Sequence, residues 1–210
     1  MKSDNTGSEK IIHPITIRLT HWINVMAVLV MILSGWKIYN ASPIFNFVFP
    51  KWITLGGWLG GALALHFAMM WLLVINGLIY ILYGFKSGHF RNDIFGLGPD
   101  SIYNKKPLSF RLLIAHGIGE YNLVQRFLYA FVITDLIVLI ISGLAIWKPA
   151  QFDELTTLLG GYDFSRVIHF YAMVGLVGFV VIHVLAGLLV KGSIISMITG
   201  RQNINIEQRS

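Results

Sequence analysis

The sequence predicts an all-α integral membrane protein, a four-helix bundle running up and down. Three observations lead there. Of 210 residues, 55% are hydrophobic and only 12% are charged, a balance that suits lipid rather than a soluble domain. Four stretches, roughly 15–39, 54–83, 124–147 and 166–190, are each long enough to cross an apolar slab, which takes about 20 residues. Four histidines, His21, His66, His169 and His183, lie inside those stretches. An ionisable group at membrane depth is costly, so its presence points to function.

The elements follow in order. A polar arm holding His13 leads to the first span, which carries Arg18, His21 and Ser34-Gly35. That span is too long for a cleavable leader, and none is expected. The second span holds His66, Trp71 and Tyr80, and no Asp, Glu, Lys or Arg occurs from Trp52 to Phe85. A connection at 84–123 follows, long enough to be a functional loop. It contains Gly96-Leu97-Gly98-Pro99, with His89 and His116 in polar surroundings. Its part from Phe110 to Ile118 reads as an amphipathic helix lying on the membrane. The third span carries Arg126, Asp135 and Ser142-Gly143, and the fourth carries Arg166, His169 and His183. All of this forms one domain over 1–210.

Charge sets the orientation. Lys2, Lys10 and Arg18, then Lys86, Arg91, Lys105, Lys106 and Arg111, then Lys191, Arg201 and Arg209 cluster in alternate connections. The remaining two connections hold Lys37, Lys51, Lys148 and Arg166. The positive-inside rule places both termini and the 84–123 loop in the cytoplasm. Trp22, Trp36, Trp52, Trp58 and Trp147 lie near the span ends, as an aromatic belt would. The net charge of +6 is explained by this topology and calls for no nucleic acid.

A weak internal repeat runs through the chain. Arg18 precedes Ser34-Gly35 by the same sixteen residues that separate Arg126 from Ser142-Gly143. Gly56-Gly57 leads to His66-Phe67 and Met70, as Gly160-Gly161 leads to His169-Phe170 and Met173. Two hairpins of similar build, or chance matches in apolar sequence, account for it. Either way, His66 and His169 sit at matched depth toward the outer side, and His21 and His183 at matched depth toward the inner side. His169 and His183 lie on nearly one helix face, about 21 Å apart.

The chain has no cysteine, which excludes thiolate iron–sulfur clusters, covalently attached haem and disulfides. Paired imidazoles on facing helices can clamp an iron from both sides of a porphyrin, and b-type haem needs no covalent link. Gly35, Gly57, Gly60, Gly61, Gly175, Gly178 and Gly187 admit either a macrocycle or a neighbouring backbone. Arg18 and Arg126 at the inner edge and Arg166 at the outer edge suit haem propionates, or simply follow the charge bias. Asp135 reads either as a proton relay to a quinone or as a neutral acid bonded to Thr134 or a carbonyl. Tyr80 lies fourteen residues after His66, as His183 does after His169, and either lines the inner pocket or packs.

Arg18-Leu19-Thr20-His21-Trp22 followed by Ser34-Gly35 resembles the first helix of the bacterial cytochrome b561 superfamily. Gln125-Arg126 with Ser142-Gly143-Leu144, and His169-Phe170 through His183-Val184 and Gly187, continue the likeness. It covers about 13 to 200. The stretch from Lys148-Pro149 to Gly160-Gly161-Tyr162 is most similar to the thiosulfate-reductase-type branch. The resemblance implies four spans, two haem b ligated by the four matching histidines, and electron exchange with quinone or quinol. It also implies a periplasmic molybdenum oxidoreductase as partner, and residence in the bacterial cytoplasmic (inner) membrane as part of a respiratory chain. The chain lacks the fifth helix found in several hydrogenase and formate-dehydrogenase subunits of the superfamily. A second copy of the chain is a further candidate partner. The rival readings are a stand-alone superoxide:quinone oxidoreductase and a haem-free transporter. Against the first, Asp153, Glu154 and Asp163 offset the outer basic residues. No catalytic residue is assigned.

Overall fold

The computed structural model describes residues 8–11, 14–87, 123–189 and 193–204. Strand β1 (Ser8–Ile11) is followed by α1 (Ile15–Ala41), α2 (Leu59–Ser87), α3 (Leu123–Trp147), the short α4 (Asp153–Leu158), α5 (Tyr162–Leu189), α6 (Ser193–Thr199) and strand β2 (Arg201–Ile204). The four long helices α1, α2, α3 and α5 are long and apolar enough to cross a membrane. At 1.5 Å per residue, 27 residues span about 40 Å, beyond the hydrocarbon core of about 30 Å. His13, His89, His116 and the expected amphipathic helix lie outside the described residues.

Helix boundaries follow local chemistry. Helix α1 starts directly after Pro14, whose carbonyl accepts from Arg18 N–H at 3.2 Å. It stops at Ser42, before Pro43, because a residue preceding proline is pushed out of helical geometry. Helix α2 begins at Leu59, later than the reading near 54. Gly56 and Gly57 take φ of 106° and 67°, and Trp58 N–H donates to Gly56 O at 2.8 Å, closing a turn. Helix α5 begins at Tyr162, earlier than the reading at 166, since its own pair Gly160-Gly161 (φ 85° and 94°) completes the turn just before it.

Packing is inverted relative to a soluble protein. The buried positions are small: Ala27, Ser34, Ala62, Ser142, Ala145 and Ser165 are essentially inaccessible. Large apolar side chains such as Leu29, Trp71, Ile75, Leu82 and Val181 face outward, toward lipid. Buried hydroxyls bond within their own helix: Ser34 Oγ–H donates to Val30 O and Ser142 Oγ–H to Val138 O, both at 2.6 Å. Helix α1 packs closely on α2, and α3 on α5, giving two antiparallel hairpins. The first hairpin is pinned by Asn76, whose amide donates to Thr20 O at 2.7 Å and Asn24 Oδ1 at 2.6 Å.

Each end of the bundle is capped. On the α1–α2 connection, Asn40 exchanges two bonds of 2.8 Å with the backbone of Phe49, and Phe49 stacks on Trp36 at 4.7 Å. Phe170 of α5 contacts Tyr39 and Phe45, each at 5.2 Å, tying the second hairpin to this cap. At the other end, Arg18 donates to Ile198 O and Trp22 Nε1–H to Met197 O at 3.3 Å, docking α6 against α1. The strands β1 and β2 pair antiparallel, Ser8 with Ile204 and Ile11 with Arg201. This two-stranded ribbon is an addition to the all-α reading, and it brings the two ends of the chain together.

The glycine turn before α2 can be tested by substitution. A Cβ on Gly56 would lie 2.5 Å from Ala62 Cα, whereas one on Gly57 meets nothing within 4 Å. Gly57→Ala is expected to cost about 1–2 kcal/mol from its left-handed backbone alone. Gly56→Ala should cost more, because it adds a backbone collision. Thermal unfolding of the two purified variants checks the order.

Candidate cofactor site between the hairpins

The two hairpins face each other through histidines. His66 on α2 and His169 on α5 have ring centroids 6.4 Å apart, with planes at 65°. His21 on α1 and His183 on α5 are 5.9 Å apart, with planes at 56°. The structure therefore brings together both pairs read from depth.

The His66–His169 pair is built from one design used twice. His66 Nδ1 lies 3.1 Å from Met31 O and 3.2 Å from Ser34 Oγ. A carbonyl can only accept, so Nδ1 carries the proton. In the neutral ring this leaves Nε2 with its lone pair, the form that ligates a metal. His169 Nδ1 lies 3.0 Å from Ser142 Oγ, and the ring is also bonded to the Leu139 carbonyl. Beneath each ring sits a glycine: a Cβ on Gly35 would be 3.4 Å from His66 Cε1, and one on Gly143 3.3 Å from His169 Cε1. In the His21–His183 pair, His183 stacks on Phe179 at 5.5 Å and 15°, and His21 meets the edge of Trp22 at 5.5 Å.

These donors suit a flat iron macrocycle better than a bare ion. Among the described residues, no three of His, Cys, Asp and Glu gather as a metal cluster; the imidazoles stand in twos. Two axial nitrogens are what an iron needs when a porphyrin supplies the other four. Two metal–imidazole bonds of about 2 Å each, laid end to end, put the ring centres about 6 Å apart, close to both observed separations.

The other expected residues divide. Arg18 is committed to the α6 carbonyl of Ile198, while its buried Nε has no hydrogen-bond partner among the described residues. Arg166 donates to Ser42 O and Oγ, lies 3.7 Å from Asp163 and sits over Tyr162, so it links the C-terminal end of α1 to the N-terminal end of α5. Arg126 belongs to α3, and its side chain lies outside the described residues. Asp135 is buried against α5. A Cβ on Gly175 would meet its Oδ1 at 3.2 Å, and its Oδ2 has no hydrogen-bond partner among the described residues. Of the glycines, Gly35 serves the site. Gly60 and Gly61 accommodate Trp58 and the Gly56 carbonyl, Gly187 faces Ile194, and nothing approaches Gly57 or Gly178 within 4 Å. Sequence reasoning missed Gly143 as a cradle, the carbonyls of Met31 and Leu139, and Tyr129, which hydrogen-bonds Tyr80 across the hairpins. The sixteen-residue repeat carried the signal for Gly143.

Comparison with known proteins now decides the family. A model of prokaryotic cytochrome b561 matches residues 12–200. The chain belongs to this family. YedZ1 of Azospira oryzae, named as a subunit of a protein-methionine-sulfoxide reductase, is 47% identical over 190 residues, 90% of this chain and 96% of the relative. The formate dehydrogenase cytochrome b556(fdo) subunit of Escherichia coli is 24% identical over 186 residues, 87% and 81% of the two chains. No solved structure matches. The chain is thus a multi-pass bacterial inner-membrane cytochrome of the haem b class, an electron-transfer subunit working with a partner redox enzyme.

The glycine cradles can be probed directly. Gly35→Val and Gly143→Val add branches that force the imidazole off its carbonyl, and should weaken haem retention by about tenfold or more. Gly77→Val, where nothing lies within 4 Å, should leave it unchanged. Haem absorbance per chain after challenge with a haem-accepting apoprotein measures both.

Proposed function

We propose that the chain holds two b haems and carries electrons between the quinone pool and a periplasmic partner. The observation that carries this reading is the pair of facing imidazole sets at 6.4 and 5.9 Å, borne partly by one helix, on which His169 and His183 lie about 21 Å apart. His66 and His169 hold the outer haem, and His21 and His183 the inner. When bound, the haems supply one-electron redox centres spaced across the membrane.

The chain's own residues do the rest. Met31 and Leu139 carbonyls, with Ser34 and Ser142, hold Nδ1–H and so aim Nε2 at the iron position. Arg126 at the inner edge, with Arg18 and Arg166 where they reach beyond their bonds to the Ile198 and Ser42 carbonyls, would neutralise haem carboxylates. The apolar helices keep water from the space between the hairpins. The charge pattern supports placing both termini in the cytoplasm. The Azospira oryzae relative supports a reductase acting on oxidised methionine as the partner class. In this reading a quinol donates electrons and a periplasmic molybdenum oxidoreductase is the partner that accepts them on the outer face.

His183→Ala should remove the inner haem and keep most of the outer, and His66→Ala should do the reverse. Some loss of the second haem is expected in each case where one helix serves both. Haem stoichiometry and the reduced-minus-oxidised spectrum report it; a His183→Ala protein with full stoichiometry refutes the ligand assignment.

Covering the outer connections, 40–53 and 148–165, should slow transfer to the partner more than exchange with quinone. Greater sensitivity to blocking the 84–123 loop would reverse the topology.

A further inference from the structure

The two hairpins repeat one another. A shift of 108 residues lays α1 on α3, with Ser34 on Ser142 and Gly35 on Gly143. A shift of 103 lays α2 on α5, with His66 on His169. The matching contacts on Nδ1 and over the glycines show that the shifts hold in space. The repeat breaks at two levels. At one, His21 and His183 fall on Tyr129 and Tyr80, which bond to each other. At the other, Asp135 falls on Ala27 and Gly175 on Leu72. A methyl and a large apolar side chain are replaced by a carboxyl facing a glycine. A Cβ on Gly175 would stand 3.2 Å from Asp135 Oδ1 and 3.4 Å from Phe131 Cζ, so the glycine leaves the room that the carboxyl fills.

Packing does not account for this acid. Asn76, buried like Asp135, donates two hydrogen bonds of 2.7 and 2.6 Å. Oδ2 of Asp135 is enclosed and bonds to nothing among the described residues. A buried carboxyl without partners costs stability and adds none. No Lys or Arg occurs from Leu19 to Trp36, Trp52 to Phe85, Phe127 to Trp147 or Val167 to Val190, so no side-chain cation of the four spans lies at this depth. The elements packed on α3 bring other titratable groups. On α5 these are His169, Tyr171 and His183, with Asp163 and Arg166 at its start; on α4 they are Asp153 and Glu154. Helix α2, which meets α3 through Tyr80, carries His66 and Tyr80 within its span.

Gly175 lies six residues after His169 and eight before His183. The carboxyl therefore stands about 9 Å along the axis from one imidazole level and about 12 Å from the other. The positive charge that would hold Asp135 ionised is that of ferric iron at those levels, and an added electron cancels it. At an effective dielectric of about 20, such a charge acts about fourfold more strongly than in water.

We propose that Asp135 is a redox-linked proton site. When quinol delivers an electron to the bundle, the Asp135 carboxylate takes one proton from the aqueous phase and an O–H bond forms. When the electron leaves for the partner, that bond breaks and the proton returns to water. This rests on the di-haem reading above.

Redox titrations of the purified full-length protein at several pH values test it, with iron per chain measured on the same samples. In the parent the haem midpoint potentials should fall as pH rises, because the reduced form binds protons more tightly. In Asp135→Asn this slope should shrink, with iron content unchanged. An unchanged slope with iron retained overturns the proposal alone. Absence of iron in the parent overturns the di-haem reading and this proposal with it. Should the variant fail to fold, infrared difference spectra of the unmodified protein decide. Reduction should add a protonated-carboxyl band that moves when aspartate is isotope-labelled at its carboxyl carbon. The other aspartates, Asp4, Asp93, Asp100, Asp153 and Asp163, lie outside the four apolar stretches. A spectrum with no band sensitive to labelled aspartate overturns the proposal.

Discussion

An imidazole buried in an apolar bundle must have its N–H accepted, and this need organises the structure. For His66 the acceptor is the carbonyl of Met31, a main-chain group that cannot be protonated or turned away. That carbonyl already serves a helix; its spare lone pair takes the ring N–H only if the two backbones come very close. Gly35 and Gly143 leave room for that closeness: a Cβ there would already touch the ring edge at 3.4 and 3.3 Å, and a branched side chain would press the ring away. Ser34 and Ser142 complete it, each giving its proton to a carbonyl one turn earlier and so accepting from the imidazole. The reward is a defined tautomer with Nε2 aimed across the bundle.

The same closeness explains why the hairpins are lined with small residues. Without a hydrophobic drive between helices in lipid, contact is won by surface fit and a few polar bonds. The first hairpin uses Asn76 with Thr20 and Asn24. The second has no amide at the matching places; Phe179 stands where Asn76 does and stacks on His183 instead. A twofold scaffold has thereby been made unequal at one level while staying matched at the other. The unequal level separates an imidazole pair from a phenol pair.

Both ends of the bundle are closed by chain segments rather than left as bare helix termini. The Asn40–Phe49 clamp and the aromatic cluster around Phe170 join the hairpins at one end, reinforced by Arg166 on Ser42. At the other, α6 docks on the turn of α1 that carries Arg18 and Trp22, next to His21, and the β1–β2 ribbon joins the segments before α1 and after α6. Through these contacts α5 and α6 are tied to α1 at both ends of the bundle.

Spacing along each helix made much of this legible. A helix advances about 1.5 Å and turns about 100° per residue, so the number of residues between a histidine and a glycine pair determines depth and face without any tertiary knowledge. That is why the four spans, the pairing of the imidazoles by depth and the level of Gly35 could be read from the chain. Other features depend on what lies across from a residue, and no count along one helix supplies that. The meeting of Tyr80 with Tyr129, the Leu139 carbonyl on His169, the docking of α6 on Arg18 and the capture of Arg166 by Ser42 all arise from how two hairpins are set against each other. Even the starts of α2 and α5 turned on glycines with positive φ, a backbone choice made by the packing of the turn. Depth was written in the sequence; neighbours across the interface were decided only when the hairpins closed.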